Sequence, residues 1–337
     1  VLKKIAILLL LSVVATVSVA AWSVKQIDLF VSTPLNLEQP ELITVTEGAH
    51  FNKMLKYLNE SGLVESSPWA RWAVKRYPEL ARVKVGTYQI KPGMTLADTF
   101  AVFRKGKEHQ FSITFVEGSR FSEWKKQLAS TDNLKHDTQQ LSEAELVKAL
   151  KLKVDNIEGM LLPETYNFVA GQSELSILKR AADEMQKTLD AAWSNRQASL
   201  PVKTPYELLT LASIVEKETA VSDERAKVAS VFANRLNKRM RLQTDPTVIY
   251  GMGERYKGNI TKKDLREKTP YNTYVIRGLP PTPIAMPGAA SILAAANPVK
   301  TPYYYFVADG TGGHTFSKTL SEHNRAVKKL IRIQRKK

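Results

Sequence analysis

The sequence predicts an α+β protein carried on an N-terminal membrane-spanning helix, and three observations predict it. An uncharged stretch, Ile5–Val24, is framed by Lys3-Lys4 and Lys25. Between residues 43 and 128 a unit of alternating strand, glycine turn and amphipathic helix occurs three times. The C-terminal half is dominated by helical periodicity, interrupted by the apolar, strand-like run Tyr303–Val307.

The uncharged stretch comes first. At ~1.5 Å per residue it is about 30 Å long, the thickness of a bilayer's hydrocarbon core. A cleaved signal peptide has an apolar region of only about 7–15 residues, although Ser18-Val19-Ala20 could serve as a cleavage site. Trp22 sits where an interfacial anchor belongs. The paired lysines predict a cytoplasmic N-terminus and a translocated remainder, so residues 1–25 are expected to form a single-pass anchor in the inner (cytoplasmic) membrane with the folded part periplasmic. Residues 26–41, polar with two prolines, read as a linker or a first docking strand.

Charge and composition narrow the partners. Lysine and arginine total 49 against 33 aspartates and glutamates, a formal charge of +16. The basic residues are scattered, with runs only at Lys3-Lys4, Lys262-Lys263 and Lys328–Lys337, and no zinc-finger, KH or RRM signature occurs. Nucleic acid is therefore not expected as a partner; a basic exterior also suits anionic lipid headgroups and acidic polymers. Cysteine is absent, which excludes thiol nucleophiles, cysteine zinc sites and iron–sulfur clusters.

The repeats follow. Ile43–Phe51 turns at Gly48 into a helix bearing Met54, Leu55 and Leu58; Tyr88–Leu96 turns at Gly93 before Phe100 and Phe103; Ile113–Phe121 turns at Gly118 before Trp124 and Leu128. Residues 42–112 are expected to form a βααβ subdomain and 113–337 an α+β domain. The first copy, closed by Val83–Tyr88, resembles a LysM module over about residues 42–92. That resemblance implies binding to polymers containing N-acetylglucosamine; a βαα unit that binds nothing has the same pattern. A long insertion through Trp69 and Trp72 departs from a compact LysM. Residues 130–200 read as mostly helical, with a turn at Gly159–Tyr166.

Thr204-Pro205-Tyr206-Glu207 is a helix start with threonine as N-cap, proline in the first turn and glutamate completing a capping box. The helix through Glu218 shows a polar face at Thr210, Ser213 and Lys217. Glu218 lies about 20° around the helix from Leu211 and continues the apolar stripe, while Glu216 points nearly the opposite way. A carboxyl at the end of a buried face is poorly solvated and holds its proton toward neutrality, as a general acid must. The helix pattern alone also fits a glutamate at a frayed end paired with a lysine.

The segments around this helix carry uncommon strings: Leu211-Ala-Ser-Ile-Val-Glu-Lys-Glu218, Asn234-Arg235-Leu236, Leu242-Gln-Thr-Asp-Pro-Thr-Val248, Tyr271-Asn-Thr273, Gly278-Leu-Pro-Pro281, His314-Thr-Phe-Ser317 and Glu322-His-Asn324. In this order and spacing they resemble the MltG (YceG-like) family of endolytic murein transglycosylases over essentially the whole chain. Thr282 and Met286 depart from the common pattern, where many members have glycine and asparagine. The resemblance implies a lyase with Glu218 as its single catalytic residue. The substrate would be a peptidoglycan glycan strand, cut at the β-1,4 bond between N-acetylmuramic acid (MurNAc) and N-acetylglucosamine (GlcNAc) to leave 1,6-anhydro ends. It also implies substrate contacts at Gln243, Asp245, Tyr271, Asn272 and Ser317. His314 and His323 are too far apart for a two-ligand helix motif and no HExxH string occurs, so no metal or other cofactor is expected. The short linker after the anchor is expected to keep the catalytic half close to the membrane, beside the peptidoglycan synthases. Two alternatives stay open: a hydrolase using Asp245 or Glu216 as a second carboxylate, and a tethered wall-binding scaffold without catalysis.

Overall fold

In a computed structural model, which describes residues 1–335, the uncharged stretch lies in one helix, α1 (Leu2–Ser32), that continues unbroken past Lys25. The last two residues of the basic run expected from Lys328, Lys336 and Lys337, lie outside the described residues. By length and composition α1 is able to cross a membrane, and its apolar part is fully exposed. Beyond it, Ile27, Phe30 and Val31 are buried. Their i, i+3, i+4 spacing is one face of a helix. Residues 26–32, read as linker or strand, are therefore packed helix; three buried positions within five residues are too short a run to show a period.

The chain divides into two compact units, one of Val1–Phe111 with Asn167–Gly171 and one of Ser112–Tyr166 with the chain from Gln172 onward. In the first, β1 (Glu41–Val45), α2 (Phe51–Glu60), α3 (Ala70–Arg76) and β2 (Gly86–Ile90) follow in order, and α4 (Leu96–Lys105) comes after them. The strands pair antiparallel, Glu41 opposite Ile90 and Val45 opposite Gly86. Ile43, Phe51, Leu58, Tyr88, Ile90, Phe100 and Phe103 form the core with the end of α1.

The repeat is real in three dimensions. Gly48 and Gly93 turn the chain from β1 into α2 and from β2 into α4, and Gly118 does so between β3 (Phe111–Thr114) and α5 (Phe121–Ala129). Their φ angles of 71°, 81° and 74° are left-handed, where any side chain would be strained.

Next along the chain come β4 (Leu134–Lys135), α6 (Glu143–Ala149), β5 (Thr165–Phe168), β6 (Gln172–Ser173) and α7 (Glu174–Ser194), all in the second unit but for the last two residues of β5. β5 pairs with β3, and β6 lies parallel to β4. The stretch expected to be mostly helical is so only from α7 onward. The Gly159–Tyr166 turn proves to be interior chain, with Met160, Leu161, Leu162 and Tyr166 all buried.

At the centre stands α8 (Pro205–Glu218), packed by α7, α9 (Ser222–Asn237), α10 (Asp245–Met252) and α11 (Ala289–Ala296). Every residue from Leu208 to Val215 is buried, so the expected polar face does not exist. Thr210 and Ser213 enter the core because their hydroxyls bond within the helix, to Tyr206 O at 2.8 Å and Thr210 O at 2.7 Å. Ser213 Oγ also accepts the Ile284 amide at 3.0 Å. Thr204 caps the helix by accepting the Glu207 N–H. Glu207 does not complete a capping box: its carboxylate takes the Lys203 N–H instead. The hairpin of β7 (Tyr305–Ala308) and β8 (His314–Ser317), then α12 (Leu320–Gln334), complete the unit.

Candidate active site

Glu218 is the last residue of α8, so its side chain leaves the core at the point where helix packing stops. It lines a cleft of about 520 Å³ together with Phe232 and Arg235 of α9, the segment Leu242–Asp245, Tyr274, the first three residues of β7, and Leu320, His323 and Asn324 of α12. The volume lies within the range of small-ligand sites. Burial pushes the Glu218 carboxyl above its ordinary pKa, and the charge of Asp245 adds to the rise. A hydrogen bond from the Thr244 hydroxyl and the electrostatic influence of His314 and Arg235 act in the opposite direction.

Thr244 is held in turn. Its amide donates to Thr273 Oγ1 at 3.1 Å, and its carbonyl accepts from Thr247 Oγ1 at 2.8 Å. The Thr247 and Thr273 hydroxyls are 2.8 Å apart, closing a buried hydroxyl network under the Glu218 contact. Next to it Gln243 has φ 51°, the left-handed region that a residue with a side chain enters at a cost of about 1–2 kcal/mol. The Gln243 N–H bond to Thr273 O at 3.2 Å helps hold it there.

Of the sequence-predicted residues, Glu218, Gln243 and Asp245 line one cleft. Asp245 accepts the Tyr274 hydroxyl at 2.7 Å. Among the described residues lining the cleft, Tyr271, Asn272 and Ser317 do not appear. Tyr271 stacks at an angle against Tyr250, centroids 4.9 Å apart, and shares a hydrogen bond with Thr282. Asn272 is buried, and its amide holds Asp264 O and Glu267 O while its oxygen accepts the Tyr274 N–H at 3.0 Å. It therefore sets the loop that presents Tyr274. Ser317 is buried in β8, opposite Tyr305. The sequence reading passed over Thr244, Arg235, Tyr274 and His323 as site residues, although each stands inside a quoted motif or directly beside one.

Glu216 leaves α8 in another direction and accepts the Gly288 amide at 3.0 Å. Among the described residues no three His, Asp or Glu side chains gather as a metal-ligand set.

A second acid is also perturbed. Glu158 is 6% exposed, accepts the Phe121 N–H at the start of α5 at 3.0 Å, and has its pKa pushed up by burial to about 7. The native state holds a proton there that the unfolded chain loses near 4.5. Stability should therefore fall as pH rises from about 4.5 through about 7, then level off. Glu158→Gln keeps an acceptor for Phe121 and has no proton to lose. Its urea-unfolding free energy should match wild type near pH 4 and exceed it at pH 8 by up to about 3 kcal/mol. Equal pH dependence in the two proteins would remove Glu158 as the cause.

Comparison with known proteins shows what the chain is similar to. A model of the YceG-like family matches residues 43–329. The chain is 32% identical over 314 residues to the endolytic murein transglycosylase of Bacillus subtilis (strain 168), covering 88% of this chain and 86% of that protein. It is 28% identical over 335 residues to the endolytic murein transglycosylase of Streptococcus pneumoniae serotype 2 (strain D39), covering 87% of this chain and 59% of that longer one. The crystal structure of a yceG-like protein from Listeria monocytogenes superimposes with a TM-score of 0.53 at 28% identity, over 86% of this chain and 99% of that one.

Proposed function

The chain belongs to the YceG-like family, and from that premise we propose that it is an endolytic murein transglycosylase with Glu218 as its acid/base. The observation that carries the assignment is a carboxyl at the end of a buried helix, lining a cleft and accepting the Thr244 hydroxyl, with its pKa raised by desolvation. Glu218 gives its proton to the leaving GlcNAc oxygen as the bond to MurNAc C1 breaks. The MurNAc C6 hydroxyl attacks C1, and its proton returns to the Glu218 carboxylate. No water is consumed, and the new end is a 1,6-anhydro sugar.

Glycosidases that hydrolyse normally use two carboxylates. Glu216 is committed to the Gly288 amide and does not line the cleft. Asp245 does line it, and that observation favours hydrolysis as the second reading. Incubating the whole chain with uncrosslinked glycan strands and weighing the products separates the two. Anhydro ends are the expected result; reducing ends would transfer the role of second carboxylate to Asp245.

The apolar part of α1 supports a single-pass anchor, which we place in the inner membrane with its N-terminus cytoplasmic and the catalytic unit periplasmic. The β1-α2-α3-β2 order supports a LysM-like subdomain able to hold glycan. An enzyme so tethered meets strands as they emerge beside the synthases and limits their length.

A further inference from the structure

Helix α3 lies in the insertion through Trp69 and Trp72 that a compact glycan-binding module does not need. Ala70, Ala73, Val74 and Tyr77 face the first unit, with Ala73 completely buried. The other face, Arg71, Trp72 and Lys75, is exposed. Trp72 is 46% exposed, with Lys75 Nζ 4.5 Å over its ring. Tryptophan is enriched at membrane–water interfaces, where its amphipathic ring sits at the level of the headgroups.

The contacts of α3 with α1 place it relative to a bilayer. Trp69, at its N-terminal end, meets Trp22 edge to face with centroids 5.5 Å apart. At its other end Arg76 donates to both oxygens of Asp28, at 2.6 and 3.0 Å, and Tyr77 OH donates to the same carboxylate at 2.7 Å. Trp22 to Asp28 is a rise of about 9 Å along α1. The headgroup layer beyond the hydrocarbon is about 5–8 Å thick on each side. Helix α3 therefore begins at the level where the apolar stretch of α1 ends and climbs through the headgroup layer. Asp28 is engaged by Arg76, residues 66–78 contain no other acid, and Lys25 is also exposed at this level, while Glu65 and Glu79 flank the insertion. The exposed charge on α3 itself is positive.

We propose that α3 is a membrane-interface foot, with Trp72 seated among the headgroups and Arg71 and Lys75 on anionic phospholipid. The proposal rests on the reading of α1 as a membrane span. The foot adds a second attachment to the bilayer beside the span and fixes how the first unit faces the surface.

The chain contains no cysteine, so a single introduced one takes a spin label cleanly. Full-length protein carrying Arg71→Cys, or Val14→Cys as the reference within the span, would be placed in nanodiscs of phosphatidylcholine with and without phosphatidylglycerol. Power saturation by oxygen and by an aqueous nickel chelate then reports the label's surroundings. In the anionic discs the label at 71 is expected to be intermediate, less accessible to the nickel chelate than in the neutral discs and less accessible to oxygen than the label at 14. Adding Trp72→Ser and Lys75→Glu should raise its exposure to the nickel chelate to that of a fully aqueous label. A label that is lipid-exposed at 14 but aqueous at 71 overturns the foot while leaving the anchor intact. An aqueous label at both positions overturns the anchor and the foot with it. A label at 71 unmoved by the added changes overturns the assignment to Trp72 and Lys75.

Discussion

Glu218→Gln is expected to lower strand cleavage roughly a hundred- to ten-thousand-fold, the usual worth of a positioned general acid/base. Gln keeps the shape and still accepts the Thr244 hydroxyl, so strand binding should survive. The pH profile provides a second test. Because burial raises the pKa of Glu218, wild-type cleavage should persist above the ordinary carboxyl range and fall as this group loses its proton. Thr244→Val removes the hydrogen bond that lowers that pKa, so the alkaline limb should move to higher pH. Stability is expected to run against activity. A raised carboxyl pKa gives the native state an extra proton, and stability then falls as pH rises through the folded value. Glu218→Gln should therefore unfold at higher urea than wild type at neutral and alkaline pH. A variant that cleaves at wild-type rate would end the assignment.

The sequence showed the site's frame more clearly than its furniture. Period and turn chemistry located α8, its Thr204 cap and the stripe that ends at Glu218, because those depend on neighbours within a turn or two. The polar-face reading of Thr210 and Ser213 failed because each hydroxyl is satisfied inside its own helix, which a helical projection cannot show. For Asn272 the residue type alone does not distinguish a binding amide from a loop-holding one. Its partners, two backbone carbonyls and the Tyr274 amide, are visible only in the folded chain. Thr244 and Arg235 were overlooked because their roles depend on Glu218 and Tyr304, far away in sequence. The α1 extension was hidden because its three buried residues span only five positions, too few to show a helical period.

Arg235 should produce the largest effect on stability. It is 8% exposed, and its guanidinium donates to Tyr304 O at 2.6 Å, Leu242 O at 2.6 Å and Arg241 O at 3.3 Å. One side chain thus joins the entry to β7 with the segment that leads to Gln243 and Thr244. Arg235→Ala leaves those carbonyls without their donor, and at about 1–3 kcal/mol for each buried group the total cost should be roughly 3–5 kcal/mol. That is a large share of the roughly 5–15 kcal/mol by which a domain is stable. Arg235→Lys keeps the charge but lacks the planar fork that reaches several carbonyls at once, so it should recover only part of the loss in urea unfolding. The two variants separate architecture from electrostatics. The Arg235 charge holds the pKa of Glu218 down, so the alkaline limb of cleavage should shift upward in Arg235→Ala and stay near wild type in Arg235→Lys. A stability loss below about 1 kcal/mol in Arg235→Ala would mean that water replaces the guanidinium at these carbonyls. The segment before Asp245 would then be held chiefly by the Thr244–Thr247–Thr273 network.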